Sequence, residues 1–232
     1  MMFLAITLGF FADNLRESRA ERVQERVLIE QVLEDLLEDR LAADSNLALR
    51  DWREAKLDSL LLMHRQQTAT THTADFYYFA QIVRNRYLFV PHSGAFAQLD
   101  GGGLKLVTNR TVLRAIQRYR SQLNEVEQMQ QLEEDQTQRY RNGPILRLLD
   151  PTIVRDITHQ EAETLDRRVD RPAGRVSLHT ADAATLNEFF MLTQSTFSFN
   201  RTCTRLVKGI RRAATQTAQL IAHEYGLPEP TP

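Results

Sequence analysis

From Phe10 to Val90 the chain contains neither glycine nor proline. A stretch of that length without a breaker has few folds open to it. Glycine costs about 1 kcal/mol and proline about 3 kcal/mol inside a helix, so their absence removes the usual punctuation. The spacing predicts a helix over 13–66. Apolar residues recur at Val23, Val27, Ile29, Val32, Leu33, Leu36, Leu37 and Leu41, then at Leu47, Leu49, Trp52, Leu57, Leu60 and Leu61. Steps of three and four mark an amphipathic helix. Glu30, Glu34 and Glu38, with Asp35 and Asp39, are placed on the opposite side. Asp44-Ser45-Asn46 is the weak point, a bend or a cap. A periodic run this long without caps reads as a coiled-coil-like stalk.

The stalk is joined directly to an apolar start, Met1-Met2-Phe3-Leu4-Ala5-Ile6-Thr7-Leu8-Gly9-Phe10-Phe11-Ala12, and charge begins at Asp13. Phe3, Leu4, Ile6, Leu8, Phe10 and Phe11 are the candidate membrane-anchor residues. Twelve helical residues reach about 18 Å, short of the roughly 30 Å of a bilayer core. The segment lacks the basic region and small-residue cleavage site of a secretory signal. Three readings stand: the lower part of a longer transmembrane helix beginning upstream of Met1, a half-insertion held by an oligomer, or a buried core helix. The apolar run beginning at Met-Met favours the first. Arg16, Arg19, Arg22 and Arg26 follow the segment and pull this side towards the cytoplasm, while a basic segment upstream reverses that, so the side of the soluble part stays open.

Beyond the stalk, Gln67–Thr73 is polar and reads as a loop. A helix is expected over 74–86, where Phe76, Tyr77, Tyr78 and Phe79 stand close together, followed by Tyr87 and Phe89. Large rings dominate core burial, so these are expected to pack a core, with a ligand cage as the alternative. Pro91-His92-Ser93-Gly94 and Gly101-Gly102-Gly103 form the glycine-rich place. It lacks the lysine and hydroxyl of a phosphate loop and the strand before one. A short helix over 94–99, a glycine turn and an N-cap at Thr108 or Asn109 is the simpler reading.

A second long helix is expected over 109–141, ended by Asn142-Gly143-Pro144, and a third over 182–226, capped by Asp182 and stopped by Gly226 and Pro228. Between them, short helices are expected near 145–149 and 150–157, then an irregular polar stretch through Arg171-Pro172-Ala173-Gly174. The fold class is all-α: an elongated helical bundle with a long N-terminal helix. Its parts are a membrane-associated segment 1–12, a helical domain 13–227 and a disordered tail 228–232.

Charge excludes one class of partner. With 29 basic and 30 acidic residues the net charge is −1, which gives no electrostatic case for nucleic acid. Arginine far outnumbers lysine, present only as Lys56, Lys105 and Lys208, and mixed Arg/Glu helices read as solvated faces with i,i+4 pairs. Arg201, Arg205, Lys208, Arg211 and Arg212 form a basic run on the last helix. It fits phosphate or lipid headgroups, but is expected to neutralise the acidic row Glu30–Asp39. Cys203 is the sole cysteine. It permits no intrachain disulfide and is expected in the core.

Catalytic chemistry finds no frame. His64, His72, His92, His159, His179 and His223 form neither HExxH nor an i,i+4 pair. His159-Gln160-Glu161 with Glu163 and Asp166 is the nearest to a ligand cluster and is expected to be solvated. Asp150, Asp156, Asp166 and Asp170 are carboxylates that no sequence pattern sets in pairs, and Ser93 lacks a nucleophile frame. No catalytic, cofactor or metal site is expected, and the active-site criteria return no nucleophile, base or metal set.

Two stretches carry a resemblance. Leu8-Gly9-Phe10-Phe11-Ala12-Asp13-Asn14-Leu15-Arg16-Glu17, with Val32-Leu33-Glu34-Asp35-Leu36-Leu37-Glu38-Asp39 after it, is similar to the membrane boundary of a group of uncharacterised bacterial membrane-anchored helical proteins. That group is classed only as a domain of unknown function. Leu99-Asp100-Gly101-Gly102-Gly103-Leu104-Lys105-Leu106-Val107-Thr108-Asn109 resembles its central element. The resemblance spans residues 1 to about 140, and the chain departs from it in lacking the upstream half of the membrane helix. It implies a single N-terminal anchor in a bacterial inner membrane and carries over no activity.

The expected function is a non-enzymatic structural or interaction subunit. It meets membrane lipid at its N-terminus and is a homo-oligomer or part of a membrane protein complex. Val23, Val27, Leu33, Leu37 and Leu41 are the candidate interaction stripe. The alternative is a sensor-type bundle holding a small molecule near 76–89.

Overall fold

A computed structural model describes residues 2–85, 87–160 and 167–228, with side chains described from Leu15 onward apart from residues 160, 167 and 168. The fold is all-α. In chain order it has α1 (Met2–Arg65), α2 (Thr73–Val83), α3 (Gly94–Asp100), a 3-10 turn (Gly103–Lys105), α4 (Arg110–Asn142), α5 (Ile145–Leu148) and α6 (Pro151–Ile157). A two-stranded hairpin, β1 (Thr158–Gln160) with β2 (Arg167–Val169), and α7 (Ala183–Tyr225) complete it. The hairpin was not expected. It is antiparallel, with Thr158 opposite Val169 and Gln160 opposite Arg167. Three paired residues per strand are too few to leave a periodicity in the sequence.

Helix ends follow from local chemistry. Asn109 Oδ1 accepts from the N–H groups of Thr111 and Val112 at 3.0 and 3.2 Å and so caps α4. Asp182 caps α7 through Thr185 N–H at 2.9 Å, and Asp150 caps α6 through Thr152 N–H at 2.8 Å with Pro151 following. α7 closes on Gly226 at φ +59°, where Leu227 N–H donates to the Ala222 carbonyl at 2.9 Å. α1 closes the same way without a glycine. Gln67 takes φ +56°, and Thr68 N–H donates to the Met63 carbonyl at 2.9 Å. At Asp44-Ser45-Asn46 the helix runs through without a break.

The chain divides into two compact units where one domain was expected over 13–227. Unit 1 comprises Met1–Asp44, Val90–Asn124 and Gly209–Pro232; unit 2 comprises Ser45–Phe89 and Glu125–Lys208. Each long helix gives one part of its length to each unit, because each is longer than a single core needs.

In unit 1 the core takes Leu28, Ile29, Val32 and Leu36 from α1. Leu99 and Phe96 come from α3, Val112, Ile116 and Tyr119 from α4, and Ile210, Ala214, Ala218 and Ile221 from α7. The small alanines of α7 let its backbone approach closely. In unit 2 the core gathers Leu57, Leu60, Phe76, Tyr77, Tyr140, Leu148 and Phe189, with the Phe76 and Phe189 rings 4.9 Å apart. The 170–182 stretch is held to this core by backbone bonds: His179 N–H donates to the Leu148 carbonyl at 2.8 Å. Thr73 Oγ1 donates to the Val176 carbonyl.

Candidate functional site

Among the described residues no helix is long and apolar enough to cross a membrane. The side chains of Phe3, Leu4, Ile6, Leu8, Phe10 and Phe11 lie outside the described residues. So do the tail residues 229–232 and Glu161, Glu163 and Asp166 of the expected ligand cluster. His159, the described member, pairs with Asp170 at 3.3 Å.

The α1 stripe divides in two. Leu28, Ile29, Val32 and Leu36 are buried, whereas Val23, Val27 and Leu41 are 64%, 50% and 59% exposed. Leu33 and Leu37 are half-buried. The apolar residues read from the sequence as a single amphipathic face therefore divide between a buried face and a mixed outward side. At 100° per residue, Val23, Val27 and Leu41 point away from Leu28, Val32 and Leu36. The acids divide too. Glu30, Glu34 and Glu38 share the outward side with Val23 and Leu41, but Asp35 and Asp39 turn inward.

Those inward acids bind chain. Asp39, fully buried, accepts from Tyr119 Oη at 2.5 Å and from His92 N–H at 2.6 Å. Burial pushes its carboxyl above the ordinary range despite these bonds. Asp35 Oδ2 accepts from Ala95 N–H at 2.8 Å at the start of α3. His92 sets Nδ1 3.3 Å from Asp39 and Nε2 3.3 Å from Glu38. The expected pairing of Glu30–Asp39 with the basic run of α7 is thus corrected: Arg211 meets Asp44 at 2.8 Å and Arg201 meets Glu54 at 3.8 Å. Elsewhere in unit 1, Glu25 accepts from Tyr225 Oη at 2.6 Å and from Thr108 N–H and hydroxyl at 2.7 and 3.0 Å. Burial raises the Glu25 carboxyl, but these bonds outweigh it and hold it below the usual range.

Unit 2 holds the densest polar constellation, which the sequence reading missed. Arg50 and Arg53, one turn apart on α1, are buried to 0% and 1% exposure. Both meet Glu133 of α4: Arg50 Nη2 at 2.9 Å from Oε2, Arg53 Nη1 at 2.6 Å from Oε1. Arg50 also donates to Asn46 Oδ1, Asn200 Oδ1 and the Tyr87 carbonyl at 2.9, 3.4 and 2.7 Å. Arg53 Nη2 donates to the Val83 carbonyl at 3.2 Å, a free carbonyl at the end of α2. Burial raises the Glu133 carboxyl, but Arg53 and Arg50 hold it below the ordinary range. Cys203 lies buried beside this group, its thiol pushed up to about 12 by burial and the Glu133 charge. That is a protonated, unreactive thiol.

Arg53 Nε has no partner. Arg53 lines a cavity of about 10 Å³ with Glu133, Tyr87 and Thr137, room for one water and no organic ligand. The aromatic stretch divides: Phe76 and Tyr77 are fully buried, whereas Tyr78 and Phe79 are half-buried, with Arg171 over both rings. Tyr77 Oη donates to the Ser177 carbonyl at 3.1 Å and accepts from Asp150 N–H at 2.7 Å.

At the glycine turn, Gly102 alone of the three takes positive φ, +116°. Gly103 is required by space, since a Cβ there would stand 2.9 Å from the Gln98 carbonyl oxygen and 3.0 Å from Leu28 Cδ2. The turn packs onto α1 and opens no helix N-terminus directly after it. Among the described residues no group of three or more His, Cys, Asp or Glu is placed to hold a metal ion.

Fold and surface together define an all-α helical protein with a sealed arginine–glutamate centre and an uncovered face on its first helix. No protein-family model, curated protein or solved structure matches the chain.

Proposed function

We propose that the chain is a non-enzymatic interaction subunit that meets partners through the outward face of α1 and a lipid surface through residues 1–12. The observation that carries it is the outward side of α1, where Val23, Val27 and Leu41 stay uncovered beside Glu30, Glu34 and Glu38 while the opposite face builds the unit 1 core. Val23 and Val27 are one turn apart on that side, each at least half exposed. In unit 2 the two guanidiniums and the carboxylate bind one another. The sensor alternative would draw on a stretch whose Phe76 and Tyr77 are fully buried in the unit 2 core, and we do not favour it.

The lipid part is tested by sedimentation with vesicles containing anionic lipid. The full chain is expected in the pellet and the chain lacking residues 1–12 in the supernatant. A full chain that stays in the supernatant overturns the lipid contact.

A further inference from the structure

We infer that unit 1 docks side by side with a second copy of this chain, the basic row of α4 in one copy meeting the acidic row of α1 in the next. This names a partner for the α1 face proposed above and rests on that reading, but not on the lipid contact.

Between Val27 and Asp39, α1 carries Glu30, Glu34 and Glu38 and no basic residue. From 110 to 124, α4 carries Arg110, Arg114, Arg118 and Arg120 and no acid. Arg120 turns back to Asp100. Arg110, Arg114 and Arg118 are exposed and, among the described residues, have no ion-pair partner. Glu34 is exposed and likewise has none. Glu30 pairs with Arg26 at 3.0 Å and Glu38 with His92 at 3.3 Å, with all four side chains about half exposed. Exposed pairs of that kind contribute little and do not commit the carboxylates. Both rows advance by four residues, so charge repeats every 6 Å or so, about 1.5 Å per residue, on each helix.

The fold sets the two rows level. Thr108, just before α4, donates its N–H to Glu25 at 2.7 Å, and Tyr119 Oη donates to Asp39 at 2.5 Å. In unit 1, α4 therefore runs parallel to α1, with Arg118 level with Glu38 and Arg110 within a turn of Glu30. Both rows face away from the core: the acids lie opposite Leu28, Val32 and Leu36, and the arginines away from Val112, Ile116 and Tyr119. One copy cannot bring its own rows together. A second copy, moved sideways without turning, sets Arg110 by Glu30, Arg114 by Glu34 and Arg118 by Glu38. The contact is heterologous, so a third copy joins in the same way. Sideways movement also keeps the α1 start of every copy on one side, as a common lipid surface requires. Pairing like row with like sets charge against like charge. An anionic surface answers the arginines and repels the glutamates, whereas a second copy answers both.

The test uses the full chain in mild non-ionic detergent. Sedimentation velocity is expected to show association that rises with protein concentration. It should weaken at least about tenfold between roughly 50 and 500 mM salt, because exposed charge pairs are screened. A chain monomeric at about 100 μM in low salt, or association indifferent to salt, overturns the inference. Arg110→Glu with Arg114→Glu, and Glu30→Arg with Glu34→Arg, are each expected to be monomeric, since each sets like charges together. Their mixture is expected to associate as the parent does, because every contact is again basic against acidic. Circular dichroism confirms that each variant is folded. Failure of the mixture to associate overturns the inference. Loss of association in the glutamate variant alone overturns it too, but leaves α1 as an interaction face; no loss in either variant removes both. Glu34→Cys and Arg114→Cys, mixed and treated with a short bismaleimide, are expected to link at least about tenfold faster than either alone. Self-linking of Glu34→Cys at the mixture's rate shows α1 against α1 and overturns the inference. Loss of vesicle binding with association intact overturns only the lipid contact.

Discussion

Arg50 holds both oxygens of Glu133, with Nη1 at 3.2 Å from Oε1 and Nη2 at 2.9 Å from Oε2, and both residues are buried. Such a bidentate pair is geometrically specific. Removing one partner leaves the other charge buried. Glu133→Gln is therefore expected to destabilise unit 2 by about 3–5 kcal/mol, because it strands two guanidiniums at once. Urea unfolding followed by Trp52 fluorescence, which reports on unit 2, measures it. A loss under about 1 kcal/mol would show the pair to be dispensable.

Acid should attack the same place. Glu133 and Glu25 lie below the ordinary carboxylate range in the fold. A carboxyl depressed on folding adds stability above its unfolded value, about 4.3, and loses it as pH falls through the depressed one. Asp39, raised by burial, has the opposite sign: its contribution is largest when protonated and falls as pH rises through the raised value. The urea midpoint seen by Trp52 should hold from neutral pH to about 5 and fall below about 4.3. That fall should be shallower in Glu133→Gln. An equal fall in both proteins would assign the acid loss to other groups.

The two faces of α1 should respond oppositely to charge. Val27→Asp and Leu41→Asp sit in solvent and are expected to change stability by no more than about 0.5 kcal/mol. Leu36→Ala, at a fully buried site, should cost about 2–5 kcal/mol. Thermal unfolding of the three variants separates the faces. Destabilisation by Val27→Asp comparable with that of Leu36→Ala would mean that the outward face is internal.

Gln67 closes α1 in a backbone conformation that L-residues adopt at a cost of roughly 1–2 kcal/mol, while Gly226 closes α7 with the same hydrogen-bond pattern. Gln67→Gly is expected to stabilise the protein by about 0.5–1 kcal/mol, after the extra freedom glycine has in the unfolded chain. A higher urea midpoint would show it; a lower one would mean that the Gln67 side chain matters to the loop.

The glycine turn ranks its own substitutions. Gly103→Ala drives a methyl into a backbone carbonyl and Leu28, at an expected cost of about 1–3 kcal/mol. Gly102→Ala meets open space and carries only the positive-φ penalty, about 1 kcal/mol. Neither variant should alter nucleotide binding in calorimetry, because none is expected of the parent. Saturable binding lost on Lys105→Ala would revive a phosphate site.

The three long helices were legible because breakers are scarce inside them, with Gly9 in α1 and Gly209 in α7 as the exceptions, and caps stand at their ends. Asn109, Asp182 and Gly226 do what their residue types suggest. The sidedness of α1 was not legible. Val23, Leu28, Val32, Leu37 and Leu41 all satisfy steps of three, four or five, and only the packing of α3, α4 and α7 residues selects which of them is covered. Arg50 and Arg53 read as solvated, as arginines on a charged helix usually are. Their carboxylate lies 83 and 80 residues away at Glu133, and no local pattern signals a contact made only by folding. The burial of Phe76, Tyr77 and Cys203 was legible from composition, since large rings and a lone thiol favour interiors.

Cys203 gives the molecule its own clock. Its thiol is sealed from solvent and kept protonated beside Glu133, so an alkylating reagent must wait for unit 2 to open. The rate at which this sulfur is capped under native conditions therefore counts opening events directly, and its denaturant dependence separates a local breath from whole-unit unfolding. A thiol introduced on the solvent side of α1 would be capped at once, so the two chemistries remain separable in one sample.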